Sequence, residues 1–310
     1  MNLVFCGTPE FAVPTLAALV CAGHRISLVV TQPDRAAGRG MQLHPPPVKQ
    51  AALACGIPVT QPAKIKANAD FQAQLEAIRP DAIVVVAYGR IIPRWMLDLP
   101  PLGNINLHGS LLPKYRGAAP VQWAVANGES ITGVTTMRLD EGLDTGDLLL
   151  AHAVPIAPHE AAPDVFQSLA EAGAQLMVQT LGRLAAGNLT PQPQDHTQAT
   201  LAPILSREDG AMDFARPAQQ IYNRWRGFQP WPGAHTTLGG KKLIVHRIAL
   251  SRHTGIEPGS LHVHNDQLLA GCGDGFSIVL EEIQIEGKRR MTAAEFLRGL
   301  QIREGERLGL

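Results

Sequence analysis

Short apolar runs alternate with amphipathic stretches through the first half of the chain. The runs are Leu3 to Cys6, Ile26 to Thr31, Ala82 to Tyr88, Ile105 to His108 and Gly133 to Leu139. Ile83-Val84-Val85-Val86 has no polar position, as expected of a central strand covered on both faces. Strands separated by helical stretches build a mostly parallel sheet from βα units, so the pattern predicts a Rossmann-like α/β domain. Its first helix is expected to be capped by Thr8, with Pro9 in the first position, and to end at Gly23. Phe11, Leu16, Leu19 and Val20 form its apolar stripe.

A longer helical period runs from about Pro163 to Ala186 and stops where Gly187, Asn188, Pro191 and Pro193 cluster. The division this suggests is a domain over 1–189, a linker over 190–206 and a second domain over 207–310. Past the linker, one helical segment, Pro217 to Phe228, precedes Gly- and Pro-punctuated runs: Lys242 to Leu250, Ser260 to Val263 and Phe276 to Ile285. That punctuation predicts a small β-rich barrel or sandwich. The stretch Pro33 to Val48 holds no regular period and is expected to be a long mobile loop.

Composition agrees with two domains. At 310 residues the chain exceeds what one hydrophobic core usually serves, and 45% apolar with 17% charged residues describes an ordinary folded protein. The 27 basic and 27 acidic residues cancel, so any nucleic-acid surface must be a local patch. Cys6, Cys21, Cys55 and Cys272 lack paired spacing and are expected to be buried free thiols of a reducing compartment. The amino terminus lacks a basic start and no apolar stretch is long enough to span a bilayer, so a cytoplasmic location without a membrane partner is expected.

The chemistry concentrates in two places. Asn106 and His108 stand two apart on a predicted strand, so both side chains leave one face near the carboxyl end, where open α/β sheets bind ligands. The run Asp140 to Asp147 is a Gly-punctuated acidic loop that on its own reads as a solvated turn. No Gly-x-Gly-x-x-Gly follows the first strand, so a nicotinamide or flavin is not supported. Gly271 to Gly275 lacks a strand-loop-helix context and reads as a hairpin turn. His262 and His264 alternate on one strand with no third ligand near in sequence, and no metal is expected.

Asn106-Leu107-His108-Gly109-Ser110-Leu111-Leu112-Pro113, then Arg116-Gly117-Ala118-Ala119-Pro120, then Gly142-Leu143-Asp144-Thr145-Gly146, resemble the core of the 10-formyltetrahydrofolate-dependent formyltransferases. The resemblance implies that 10-formyltetrahydrofolate is the formyl donor and that Asn106, His108 and Asp144 are catalytic. The assignment suits the chemistry: moving a formyl group between amines develops an oxyanion, which needs donors fixed in advance. An Asn amide is one, and an imidazole can donate or move a proton near neutral pH. The turn Val86-Ala87-Tyr88-Gly89-Arg90-Ile91 resembles the family's pterin-binding turn, and the folate site implied also includes Ser110, Leu111, Leu112, Pro113 and Asp140.

The acceptor must be read from the periphery. Gly7 to Ala12, Thr31 to Arg35, Gly38-Arg39-Gly40 and Pro47-Val48-Lys49 resemble the branch that formylates initiator tRNA charged with methionine. Arg39, assisted by Arg35 and Lys49, is then expected to follow the acceptor arm. Where that branch commonly carries lysines after Gly40, this chain has Met41-Gln42-Leu43. Phe228 to Ala234 resembles the opening of the branch's carboxyl-terminal OB-like domain. On that domain Lys241, Lys242, Lys288, Arg289 and Arg290 are candidate tRNA contacts, although a solvated hairpin explains Lys288 to Arg290 equally well. Residues 207–310 hold 14 Lys or Arg against 12 Asp or Glu, so attraction must come from patches. Two rivals remain: the same chemistry on an amino sugar nucleotide, and a non-catalytic folate- and RNA-binding protein. The chain is expected to work as a monomer without an obligatory protein partner.

Overall fold

The computed structural model describes residues 1–37, 42–299 and 306–309, which form two compact units. The first comprises Met1–Pro120, Ile131–Pro155 and Val165–Pro203; the second comprises Val121–Ser130, Ile156–Asp164 and Ile204–Leu310.

In chain order the first unit begins with β1 (Asn2–Gly7), α1 (Val13–Cys21), β2 (Arg25–Val30), β3 (Arg35–Ala37), β4 (Gln42–His44), α2 (Pro47–Ala54) and β5 (Val59–Thr60). It continues with α3 (Ala69–Ile78), β6 (Ala82–Val86), α4 (Arg94–Leu97) and β7 (Asn104–His108). After α5 (Pro120–Ala126), which from Val121 on belongs to the second unit, come β8 (Ile131–Arg138), β9 (Leu148–Pro155) and the long α6 (Ala162–Ala185), whose first turn is also of the second unit. Seven strands make one sheet in the order β5-β2-β1-β6-β7-β8-β9. The first five run parallel, while β8 and β9 are antiparallel to their neighbours. Every residue of β6 and β7 is buried, as two-sided coverage of central strands demands. One face packs Val4, Cys6, Ile83 and Val85 against Phe71 and Leu75 of α3 and Met96 of α4.

Because β1 leads to β2 on one side and β6 lies on the other, the strand order reverses between β1 and β6. Ligands of such sheets bind beyond the carboxyl ends of strands at a switch of this kind. The loops after β1, β6 and β7 begin at Thr8, Ala87 and Gly109.

Some expectations need correction. Thr8 caps no helix: its hydroxyl donates to Tyr88 O at 3.2 Å and accepts from Gln32 N at 3.4 Å, tying the loop after β1 to its neighbours. A short 3₁₀ turn, Glu10–Ala12, precedes α1 instead. The stretch 33–48 is not irregular throughout, since β3 and β4 pair as a hairpin. Only Cys6 and Cys272 are buried; Cys21 and Cys55, at helix ends, are exposed.

The second unit contains α7 (Ala218–Gly227), β10 (His235–Leu238), β11 (Lys241–Thr254), β12 (Leu261–His264), β13 (Gln267–Gly271), β14 (Phe276–Ile285), β15 (Met291–Thr292) and α8 (Ala293–Gly299). Its sheet is antiparallel, in the order β10-β11-β14-β13-β12, with β15 on β14. The sheet curls: the His253 ring on β11 lies 5.5 Å from that of His262 and 4.8 Å from that of His264, although β11 and β12 are not paired. Ile221 and Tyr222 of α7 close the core over Leu243, Val245, Leu268 and Leu280.

Candidate active site

Strand β7 is anchored at its start, where the Asn104 amide donates to Met96 O at 2.9 Å and Leu97 O at 3.1 Å. Two and four positions on, Asn106 and His108 leave the opposite end of the same face. Asn106 is 9% exposed, and its amide makes no hydrogen bond to any described residue. His108 is 6% exposed, with Nε2 2.9 Å from Tyr115 O. A carbonyl only accepts, so Nε2 carries the proton and Nδ1 is the nitrogen that faces Asp144 Oδ2, 3.6 Å away.

Asp144 reaches the imidazole from the loop after β8, with its backbone in the left-handed region at φ 52°. Its Oδ2 accepts from Gly117 N at 2.8 Å. Gly117 has φ +119°, and a Cβ there would stand 2.6 Å from Ala202 O, so only glycine serves. Asp140 is turned into its own loop, accepting from Gly142 N at 3.0 Å and Thr145 Oγ1 at 2.8 Å.

A residue that the sequence reading missed holds the same loop. The Gln194 amide, 6% exposed, donates to Asp144 O at 2.9 Å and Gly146 O at 2.7 Å, and its Oε1 accepts from Arg116 Nη2 at 2.6 Å. Gln194 lies in the stretch expected to be a linker, among breakers that carry no periodic signal.

At the switch point, Ala87 (φ 47°) and Gly89 (φ 74°) make the turn after β6, and both are exposed. Gln32 Nε2 donates to Tyr88 O at 2.9 Å. The Tyr88 ring turns inward with Ile92 and Met96; burial pushes its hydroxyl pKa up, and among the described residues the oxygen has no hydrogen-bond partner. Of the six residues Val86 to Ile91, therefore, Tyr88 can offer a ligand only its backbone. Arg90 donates to Ala63 O at 2.5 Å, while Ile91 is 88% exposed. Ser110 is buried and donates to Lys114 O at 2.6 Å. Leu111 is half-buried, Leu112 is buried with its N–H on Thr135 Oγ1 at 3.2 Å, and Pro113 is half-buried after a cis peptide bond.

The candidate tRNA contacts divide. Lys49 pairs with Asp34 at 2.8 Å, and its ammonium beside that carboxyl, with help from Gln61, holds Asp34 below the ordinary carboxylate range. Arg35 is exposed and bonds Gln32; Arg39 lies outside the described residues. In the second unit Lys241 and Lys242 are exposed where β10 turns into β11. The turn carrying Lys288 is beside them, because Glu286 N donates to Lys242 O at 2.8 Å. Arg289 pairs with Glu295 at 2.8 Å, and Arg290 with Glu282. The structure brings His253 to His262 and His264, yet among the described residues no group of three His, Cys, Asp or Glu is arranged to hold a metal ion.

A family model described as formyl transferase matches residues 1–181, and one described as formyl transferase, C-terminal domain, matches residues 204–301. A methionyl-tRNA formyltransferase of Acidobacterium capsulatum is 65% identical over 310 residues, covering 100% of both chains. One of Koribacter versatilis is 58% identical over 309 residues, covering 100% of this chain and 99% of that one. Among solved structures, an N-formyltransferase from Helicobacter canadensis in complex with folinic acid and dTDP-3-aminofucose superposes with a TM-score of 0.66 at 18% identity, covering 90% of this chain and 98% of the other. HypX from Aquifex aeolicus in complex with tetrahydrofolic acid gives 0.63 at 17%, covering 96% and 46%. At such identities the likeness speaks for the fold alone. No helix among the described residues is long and apolar enough to cross a membrane.

Proposed function

The chain belongs to the formyl transferase family, and from that premise we propose that it moves the formyl group of 10-formyltetrahydrofolate onto the α-amino group of methionine carried by initiator tRNA. Relatives up to 65% identical over the full length of both chains are named methionyl-tRNA formyltransferases, which supports this acceptor. The observation that carries the reading is the pairing of His108 Nδ1 with Asp144 Oδ2 at 3.6 Å, beside an Asn106 amide free of hydrogen bonds to described residues.

The residues present fit a folate. Next to the exposed apolar Ile91, the turn after β6 exposes Ala87 and Gly89, residues whose small or absent side chains let a pterin approach the backbone. The folate, when bound, supplies the formyl carbonyl. Asn106 donates an N–H to the carbonyl oxygen as negative charge gathers there; the amide is aimed beforehand by a buried strand and so needs no reorganisation. Tyr115 O fixes the Nε2 proton of His108, which leaves Nδ1 as the position that gains and loses one, and a proton arriving there meets the Asp144 carboxylate. The nucleophile is the acceptor's own amine, whose ordinary pKa of about 7.7–8.0 leaves a neutral fraction. No activated serine or cysteine is needed.

Lys241, Lys242 and Lys288 gather at one end of the second unit's sheet without carboxylate partners among the described residues, and they track the tRNA backbone. Arg35 and Arg39 contact the acceptor end; Lys49 acts through Asp34, next to Arg35 at the start of β3. The chain acts as a monomer in the cytoplasm, where its acceptor is charged. The test is formylation by the purified protein with methionyl initiator tRNA, methionyl elongator tRNA and an amino sugar nucleotide in parallel. Formylmethionyl product from the initiator alone is expected. No product from it, or preferential formylation of the sugar, refutes the reading.

A further inference from the structure

We propose that Gln194 is a positioning residue for Asp144, and that Gln194 and Arg116 together form a clamp that sets the carboxylate toward His108. The proposal rests on the catalytic reading of Asp144 given above.

Asp144 needs such a clamp. A non-glycine residue in the left-handed region is strained and persists only where its surroundings over-determine it. Among the described residues, one side chain binds the backbone carbonyls of Asp144 and Gly146. Gln194 Nε2 has two N–H donors, and each meets one carbonyl of the loop, Asp144 O at 2.9 Å and Gly146 O at 2.7 Å. Its Oε1 accepts two bonds from Arg116, Nη2 at 2.6 Å and Nε at 3.2 Å. The amide's full capacity is thereby used in a buried setting, where an unmet group is costly.

Arg116 explains why the amide points the right way. It is 7% exposed, and among the described residues no carboxylate pairs with it; the guanidinium meets only neutral acceptors, Gln194 Oε1 and His196 Nδ1 at 3.0 Å. A buried cation against the carbonyl end of the amide forces the NH₂ end toward the loop. A glutamate at 194 would satisfy Arg116 but set an acceptor against two carbonyls, and an asparagine is one methylene short. The same segment of chain also fixes the other end of Asp144. Arg116 N donates to Thr200 O at 2.8 Å, Ala202 N donates to Arg116 O at 2.7 Å, and the next residue, Gly117, donates its N–H to Asp144 Oδ2. Backbone and carboxylate of Asp144 are therefore held through neighbouring positions of one zipped pair of segments, 115–117 and 194–202.

A displacement of about 1 Å at a reacting group can lower turnover by about a hundredfold. The experiment compares Gln194→Ala, Gln194→Glu, Asp144→Asn and Gln194→Ala/Asp144→Asn, measuring kcat, KM for 10-formyltetrahydrofolate and tRNA, and melting temperature. Gln194→Ala is expected to lower kcat about ten- to a hundredfold, with both KM values within about twofold of the parent. In the Asp144→Asn background the same change is expected to alter kcat by less than about twofold, because its target is already gone. Gln194→Glu keeps the Arg116 bonds, guards against a folding failure of the alanine variant, and is expected to show the same loss of kcat. Multiplying losses in the double variant, or a folded Gln194→Glu protein with parental kcat, overturns the proposal. Failure of the underlying reading is seen separately, as full activity of Asp144→Asn alone.

Discussion

The loop around Asp144 and the basic end of the second unit's sheet handle charge in opposite ways. Beside Asp144 the Gln194 amide and the Arg116 guanidinium are buried, and Gln194 commits both of its N–H donors to carbonyls of the loop. At the sheet end the cations are exposed; among the described residues Lys241, Lys242 and Lys288 have no carboxylate partner, while Arg289 and Arg290 share their charge with Glu295 and Glu282. Chemistry on one carbonyl carbon requires donors that do not move during reaction, and burial supplies that rigidity. Following a phosphate backbone requires charge without fixed geometry, and long solvated side chains supply that. Substitutions should accordingly change turnover in the first region and salt-dependent affinity in the second.

The largest effect is expected from Asn106→Ala. Removing one preorganised oxyanion donor should lower kcat about a hundred- to a thousandfold while folate affinity, read by fluorescence titration, stays close to the parent's. Gly117→Ala comes next. It sets a Cβ against Ala202 O at a backbone angle that L residues avoid, so calorimetry should show a loss of about 1–3 kcal/mol together with reduced kcat. The basic end behaves differently: replacing Lys241, Lys242 and Lys288 together by Ala should raise KM for tRNA several-fold at physiological salt and leave kcat at saturation alone. For every phosphate that a lysine no longer neutralises, the slope of log affinity against log salt should flatten by roughly 0.7–0.9.

The smallest effect concerns Glu295, which completes a reciprocal cap at the start of α8. Its carboxylate accepts from Thr292 N at 2.9 Å while its own N–H donates to Thr292 Oγ1 at 3.2 Å. The Thr292 backbone bond, then Arg289, hold its pKa down to about 2, against an ordinary value of 4.5. A carboxyl whose folded pKa is depressed stabilises the fold fully above its unfolded pKa and ceases to do so as pH falls through the folded value. Glu295→Gln should therefore melt slightly below the parent at pH 6, and the gap should close between about pH 4.5 and 2. A gap that persists at pH 2 would show that the cap, and not its charge, matters.

What could be read from the chain follows the same division. The apolar run of β6 announced a buried central strand, and the spacing of Asn106 and His108 on β7 set both on one face. The glycine at 89 marked the turn after β6 but not the direction of Tyr88, whose ring continues the core instead of facing outward. Strand β9 was not legible, because an edge strand with mixed exposure gives no clean alternation. Prolines around 33–48 hid the hairpin of β3 and β4, whose pairing is local but short. Gln194 acts on a loop fifty positions earlier in the chain, and a glutamine among prolines carries no sign of what it will touch. The third histidine, His253, was likewise brought to His262 and His264 only by the curl of the sheet.

The most direct measurement is the single-turnover rate of formyl transfer to methionyl initiator tRNA by Asp144→Asn, a change of nearly the same shape that removes the negative charge facing His108 and keeps one oxygen acceptor for Gly117 N–H. At saturating donor and acceptor the account predicts a rate about a hundredfold or more below the parent's, with donor affinity preserved. A rate equal to the parent's would contradict it.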